Sequence, residues 1–227
     1  MLRTSVISIL VSSAIFLAGC GAASKPSASS TAPVVAASSD RDLEQAGHWS
    51  ENLYDRALAG DWTGAATDLQ SLRESLERLQ TSFRGSEHLA SAIAATTRVS
   101  AAISARDARA LAREANAVTR DVALLTAGTN PAVPADVTLL DFYGRELEIW
   151  ADAGDSGNLR KTQREAAETW ARLAPLLTAR GATAERDQFS ALMKRLEDAR
   201  TIDEFRALAK PILDEVDNLE KVFKPGP

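Results

Sequence analysis

The sequence predicts an all-α chain of about eight amphipathic helices in two four-helix halves, preceded by a signal peptide and a disordered tether. Three observations predict it. Apolar residues recur at helical spacing through nearly the whole body. Alternating runs of β-branched residues, the mark of a half-buried strand, are missing. Glycines and capping residues punctuate the periodic runs where helices should stop and start.

The elements follow in order. Helices are predicted at about 41–59, 62–84, 87–105, 108–127, 137–153, 156–180, 182–199 and 202–223. Leu69, Leu72, Leu76, Leu79 and Phe83 mark the apolar face of the second. Ala108, Leu111, Ala115, Val118, Val122 and Leu125 mark that of the fourth. Gly60, Gly85, Gly128, Gly154 and Gly181 each follow a periodic run, where a helix end favours a left-handed residue. Asp61, Ser86, Asp107, Asp136, Asp155 and Thr201 stand at N-cap positions. Thr201 and Glu204 have capping-box spacing. The sequence Thr129 to Pro134 (TNPAVP) breaks the pattern in the middle. Domains are therefore expected as a leader at 1–19, a tether at 20–39, a first helical half at 40–128, a linker at 129–135, a second half at 136–223 and a tail at 224–227. A shift of 94 residues aligns Gly60-Asp61 with Gly154-Asp155, Arg78-Leu79 with Arg172-Leu173, and Trp49 with Tyr143. That register suggests an internal duplication.

The N-terminus predicts where the chain is held. Arg3 precedes an uncharged run, Val6 to Leu17, which is too short for a span of about 20 apolar residues. Leu17-Ala18-Gly19-Cys20 follows, and Cys20 is the only cysteine. These four residues resemble the lipobox of bacterial lipoproteins. The resemblance implies cleavage before Cys20, a diacylglyceryl thioether on its sulfur, and acylation of its new amino group, for example with palmitate. Two or more chains hold a protein stably at a membrane. It further implies an envelope location, at the periplasmic face of the outer membrane or the outer face of the cytoplasmic membrane. The Ala/Ser/Pro-rich stretch after Cys20 cannot bury enough surface to fold.

Charge and chemistry narrow the function. The net charge is −5 and basic residues are scattered, which argues against a nucleic-acid partner. With one cysteine taken by lipid, thiol catalysis and thiolate metal sites are excluded. No Cys-x-x-Cys-His or His-Glu-x-x-His run occurs. Gly154-Asp155-Ser156-Gly157 reads as a helix stop and N-cap, not as a nucleophile loop. Glu44, His48, Glu51 and Asp55 share one face of the first helix and form a candidate divalent-metal set, against the alternative of a solvated face. Trp49, Trp62, Tyr143, Arg145 and Trp150 are the candidate ligand or partner face, against the alternative of core packing. Gly144 costs helix stability and so points to close helix approach or ligand access. No catalytic residues are assigned and no cofactor is required. The expected function is a lipid-anchored, non-enzymatic binding module of the cell envelope, taking an envelope protein or a small ligand. A metal-binding envelope lipoprotein is the second reading and an enzyme of unknown class the third.

Overall fold

The computed structural model describes residues 32–129 and 131–224, with side chains from Ser39. Among them lie eight α-helices and no strand. In chain order they are α1 (Ala32–Ala59), α2 (Trp62–Leu79), α3 (Glu87–Ala105), α4 (Ala108–Thr126), α5 (Ala135–Ala153), α6 (Ser156–Ala179), α7 (Thr183–Asp198) and α8 (Ile202–Phe223). The all-α fold is as expected. The expected signal peptide, Cys20 and most of the tether lie outside the described residues.

Local chemistry explains most boundaries. Asp61, Ser86, Asp107, Asp155 and Thr201 each accept a backbone N–H at the start of their helix. Thr201 and Glu204 complete the capping box in both directions. Asp136 does not cap. Helix α5 starts two residues earlier than expected, at Ala135 behind Pro134, and Asp136 instead holds Arg172 at 2.7 Å. Helix α1 starts at Ala32, inside the segment expected as tether. Pro33 sits in its first turn, where a missing N–H costs nothing, and the alanines after it favour helix. Helix α2 stops at Leu79, earlier than expected, and the chain turns through Gly85 (φ 79°) into Ser86. Helix α3 ends on Arg106 at φ 51°, a left-handed turn made without glycine.

The halves share one topology. In the first, α1 packs on α2 and α4, and α3 packs on α2 and α4. In the second, α5 packs on α6 and α8, and α7 packs on α6 and α8. Each encloses its own apolar core. Leu53, Leu72, Leu76, Leu111 and Val118 lie in one, and Leu147, Leu173, Phe189, Phe205 and Ile212 in the other.

The register between halves extends to polar detail. Arg78 pairs with Asp42 at 2.6 Å and reaches Ser75 Oγ at 3.2 Å. Ninety-four residues on, Arg172 pairs with Asp136 at 2.7 Å and reaches Thr169 Oγ1 at 3.0 Å. Gly60 and Gly154 take matching left-handed conformations at φ 66° and 70°. Such a match in side-chain partners is not a consequence of helical periodicity alone, so the register is that of an internal repeat.

Helices α4 and α5 join the halves by packing on each other. Both are buried on more than one face. Helix α4 buries Ala112, Asn116, Thr119 and Ala123 beside its main apolar stripe. Helix α5 buries Phe142, Gly144 and Arg145 as well as Leu140 and Leu147. The outer helix α7 buries only Phe189, Met193 and Leu196.

Candidate functional site

Polar side chains, not apolar ones, mark the junction between the halves. Asn116 on α4 is fully buried. Its Nδ2 donates to Phe142 O at 3.1 Å and to Glu146 Oε1 at 3.0 Å on α5. The indole Nε1–H of Trp150 donates to the other Glu146 oxygen. Tyr54 on α1 donates to Glu148 Oε2 at 2.6 Å. Burial raises the titration of Glu146, and burial together with the Glu148 carboxylate raises that of Tyr54.

Beside this network lies a cluster of acids around one arginine. Arg145 is 9% exposed, and its guanidinium sits 5.0 Å from the centre of the Tyr54 ring. Its Nη2 lies 3.1 Å from Asp141 Oδ2 and 4.0 Å from Glu51 Oε2. The Asp141 contact is close enough for an ion pair but is not aligned as a hydrogen bond, and Arg145 Nη1 and Asp141 Oδ2 are buried without one. Asp55, Asp217 and Glu220 add further negative charge from α1 and α8. Burial and this surplus of acid outweigh the single guanidinium. They push Glu51 up to about 7 and Asp141 to about 6.

A cleft opens at one end of the same junction. Its volume is about 490 Å³. Helices α1, α4, α5 and α8 all contribute to it. Tyr54, Leu58, Ala112, Ile149 and Trp150 give it an apolar lining, and Arg109, Arg113, Arg206, Glu148 and Asp152 give it charge. Leu58 is 65% exposed, the most exposed of the three large apolar side chains on the described surface.

The candidate residues fall in different places. Trp150 lines the cleft. Arg145 lies under Tyr54 in the acid cluster and reaches no solvent-facing anion position. Trp49 and Trp62 pack against the first core and Tyr143 against the second. The five therefore do not form one exposed face. Glu44 and His48 are exposed, His48 Nε2 meets Asn52 Nδ2 at 3.1 Å, and Glu51 faces Arg145. Glu44, His48, Glu51 and Asp55 do not converge as a ligand set. Among the described residues no group of three or more His, Cys, Asp or Glu is arranged to hold a metal. Gly144 resolves as close helix approach, because a Cβ there would lie 2.5 Å from Leu213 Cδ2 of α8. Ser156 is the first residue of α6.

Reading the sequence missed Asn116, Glu146, Glu148 and the arginines of the cleft. One signal was present. Ala112, Asn116, Thr119 and Ala123 repeat at spacings of 4, 3 and 4, a second stripe of small residues beside the apolar one. It marks a helix buried on two sides.

No protein-family model, curated protein or solved structure matches this chain.

Proposed function

We propose that this chain is a lipid-anchored, non-enzymatic binding module of the bacterial cell envelope, held through acylated Cys20, and that its ligand site is the cleft between the two helical halves. The cleft carries this reading. Its 490 Å³ falls within the roughly 300–1,000 Å³ of pockets that hold small ligands. An apolar wall with a few charged groups at its edge is the usual make-up of such pockets. Most of the polar groups around it are already engaged: Tyr54 with Glu148, Trp150 with Glu146, and Arg206 with Ala151 O at 2.7 Å. Groups locked in this way suit holding a ligand better than making or breaking its bonds. A small ligand is favoured over a protein partner because only Leu58, Ile93 and Leu176 stand out as large apolar side chains on the described surface.

Two measurements test the reading. In cell fractionation, wild-type chain should sediment with membranes and take up labelled palmitate, and the Cys20→Ala chain should take up none. The unacylated Cys20→Ala chain, otherwise whole, is then titrated with the neutral fluorophore N-phenylnaphthylamine. Saturable binding is expected, and Ala108→Phe at the cleft wall should abolish it with the thermal midpoint unchanged. Binding that is absent, or that survives Ala108→Phe, overturns the assignment of the cleft. Release of the wild-type chain from membranes overturns the anchor.

A further inference from the structure

We infer that the cleft takes an organic anion: a ligand with an apolar body and a single negatively charged head held at Arg109. This rests on the cleft being the ligand site and adds the chemical class.

Three arginines and two acids line the cleft, in a protein whose net charge is −5. Glu148 accepts the Tyr54 hydroxyl. Asp152 lies 3.6 Å from Arg206, which also pairs with Asp203 at 2.8 Å. Arg113 shares Glu114 with Arg98. Arg109 has no hydrogen bond or ion pair among the described residues. Glu148 keeps its charge on accepting the neutral Tyr54 hydroxyl, so the lining carries three arginines against two acids, and Arg109 is the arginine with no partner among the described residues.

Backbone groups leave this balance to the side chains. The C-terminal turns of α1 and α5 reach the cleft and would bring partial negative charge. Their carbonyls are largely taken. Gly60 N and Asp61 N close Ala57 O and Arg56 O, and Gly154 N and Asp155 N close Ala151 O and Trp150 O. The first turn of α4 carries Ala108 and Arg109, and its end is already capped by the Asp107 carboxylate, which accepts from Ala110 N at 3.0 Å. A carboxylate, sulfonate or phosphate head placed there meets Arg109, while its apolar body lies against Leu58, Ile149 and Trp150.

The test compares two probes that share one aromatic body. Anilinonaphthalene sulfonate carries a sulfonate that N-phenylnaphthylamine lacks. Both are titrated into the whole Cys20→Ala chain and into its Arg109→Gln/Arg113→Gln form. A charge-assisted contact is roughly twice as strong as a neutral one, so the sulfonate should bind about tenfold tighter. The preference should shrink with added salt. The double substitution should erase it while leaving the neutral probe's affinity and the thermal midpoint unchanged. Equal binding of the two probes, or a preference that survives the substitution, overturns the ligand class and leaves the cleft standing. Failure of both probes to bind overturns the class together with the cleft. Displacement by lysophosphatidylglycerol, set against displacement by naphthoate, separates an anionic lipid from a compact soluble acid as the source of that chemistry.

Discussion

Raising the pH from about 5 to about 8 should weaken this fold by about 2–3 kcal/mol, through two carboxyl groups at the junction of the halves. Glu51 moves from 4.5 to about 7 on folding, and Asp141 from 3.8 to about 6. At about 1.4 kcal/mol per unit of pKa, each would contribute roughly 3 kcal/mol if fully withdrawn from water. The Glu51 side chain is 36% exposed, so solvent screening removes half or more of its share. That of Asp141 is 15% exposed and keeps most of its own. The Asp141 carboxylate is one of the charges that raise Glu51, so their shares do not add in full.

The sign follows from proton uptake. Both groups hold their protons in the folded chain at a pH where the unfolded chain has lost them. Their contribution is therefore whole below the ordinary carboxylate range and is lost as pH rises through about 6 and 7. Asp61, Asp155 and Glu204 are shifted the other way, each chiefly by backbone N–H groups at a helix start. Their effect is lost only in more acid solution. Urea denaturation followed by tryptophan fluorescence, repeated across this pH range, reads the slope. Glu51→Gln and Asp141→Asn should each flatten it, and the double variant should keep only the part that the raised Glu146 and Asp121 carboxyls supply. Stability that is flat or rising with pH in the wild-type chain would refute the reasoning, as would an undiminished slope in the double variant.

Three further outcomes follow from single residues. Asn116→Ala removes both hydrogen bonds to α5 and leaves the part-buried Glu146 Oε1 without that donor, so it should cost about 1–3 kcal/mol in urea denaturation. Arg106→Gly relieves a left-handed residue worth about 1–2 kcal/mol and loses about 0.4–1 kcal/mol to chain entropy. It should raise the thermal midpoint by a few degrees, and a fall would show that the Arg106 side chain matters more than its backbone. Gly144→Ala gains about 1 kcal/mol of helix propensity but pushes a methyl into Leu213, a crowding that costs about 1–3 kcal/mol. The net loss should be recovered when Leu213→Ala is added, and a single variant more stable than wild type would mean that α5 and α8 do not approach this closely.

Features within one helix were legible in the sequence, whereas those between helices were not. Periodicity and caps located the helices because both are local properties of a dozen residues, and Thr201 with Glu204 is the plainest case. Arg106 escaped because no side chain announces a left-handed turn when glycine is missing. Glu51 was placed on a face with Glu44, His48 and Asp55, which is correct geometry for an isolated helix. Its partner Arg145 comes from a helix more than ninety residues away, and no spacing within α1 points there. Asp141 and Arg145 stand four residues apart on α5, a spacing that an exposed helix would also show; α1 and α8 supply the burial that changes their chemistry. The arginines of the cleft look like ordinary surface charges until four helix ends meet around them.

The Tyr54–Glu148 hydrogen bond joins positions that are 94 residues apart, the same interval that relates the two halves. In a chain built from two identical halves, those positions would hold one and the same residue. Two tyrosines or two carboxylates would face each other there, and two carboxylates would repel. A donor matched to an acceptor is possible at this point only because the two positions hold different residues. The same holds for the asymmetry around it, where Asn116 of α4 grips α5 while its counterpart, Lys210 of α8, pairs with its own helix neighbour Asp214. Joining both copies in a single polypeptide frees each from having to be its own partner, and an off-centre cleft bearing one unopposed arginine is a shape that strict twofold symmetry would have duplicated or filled.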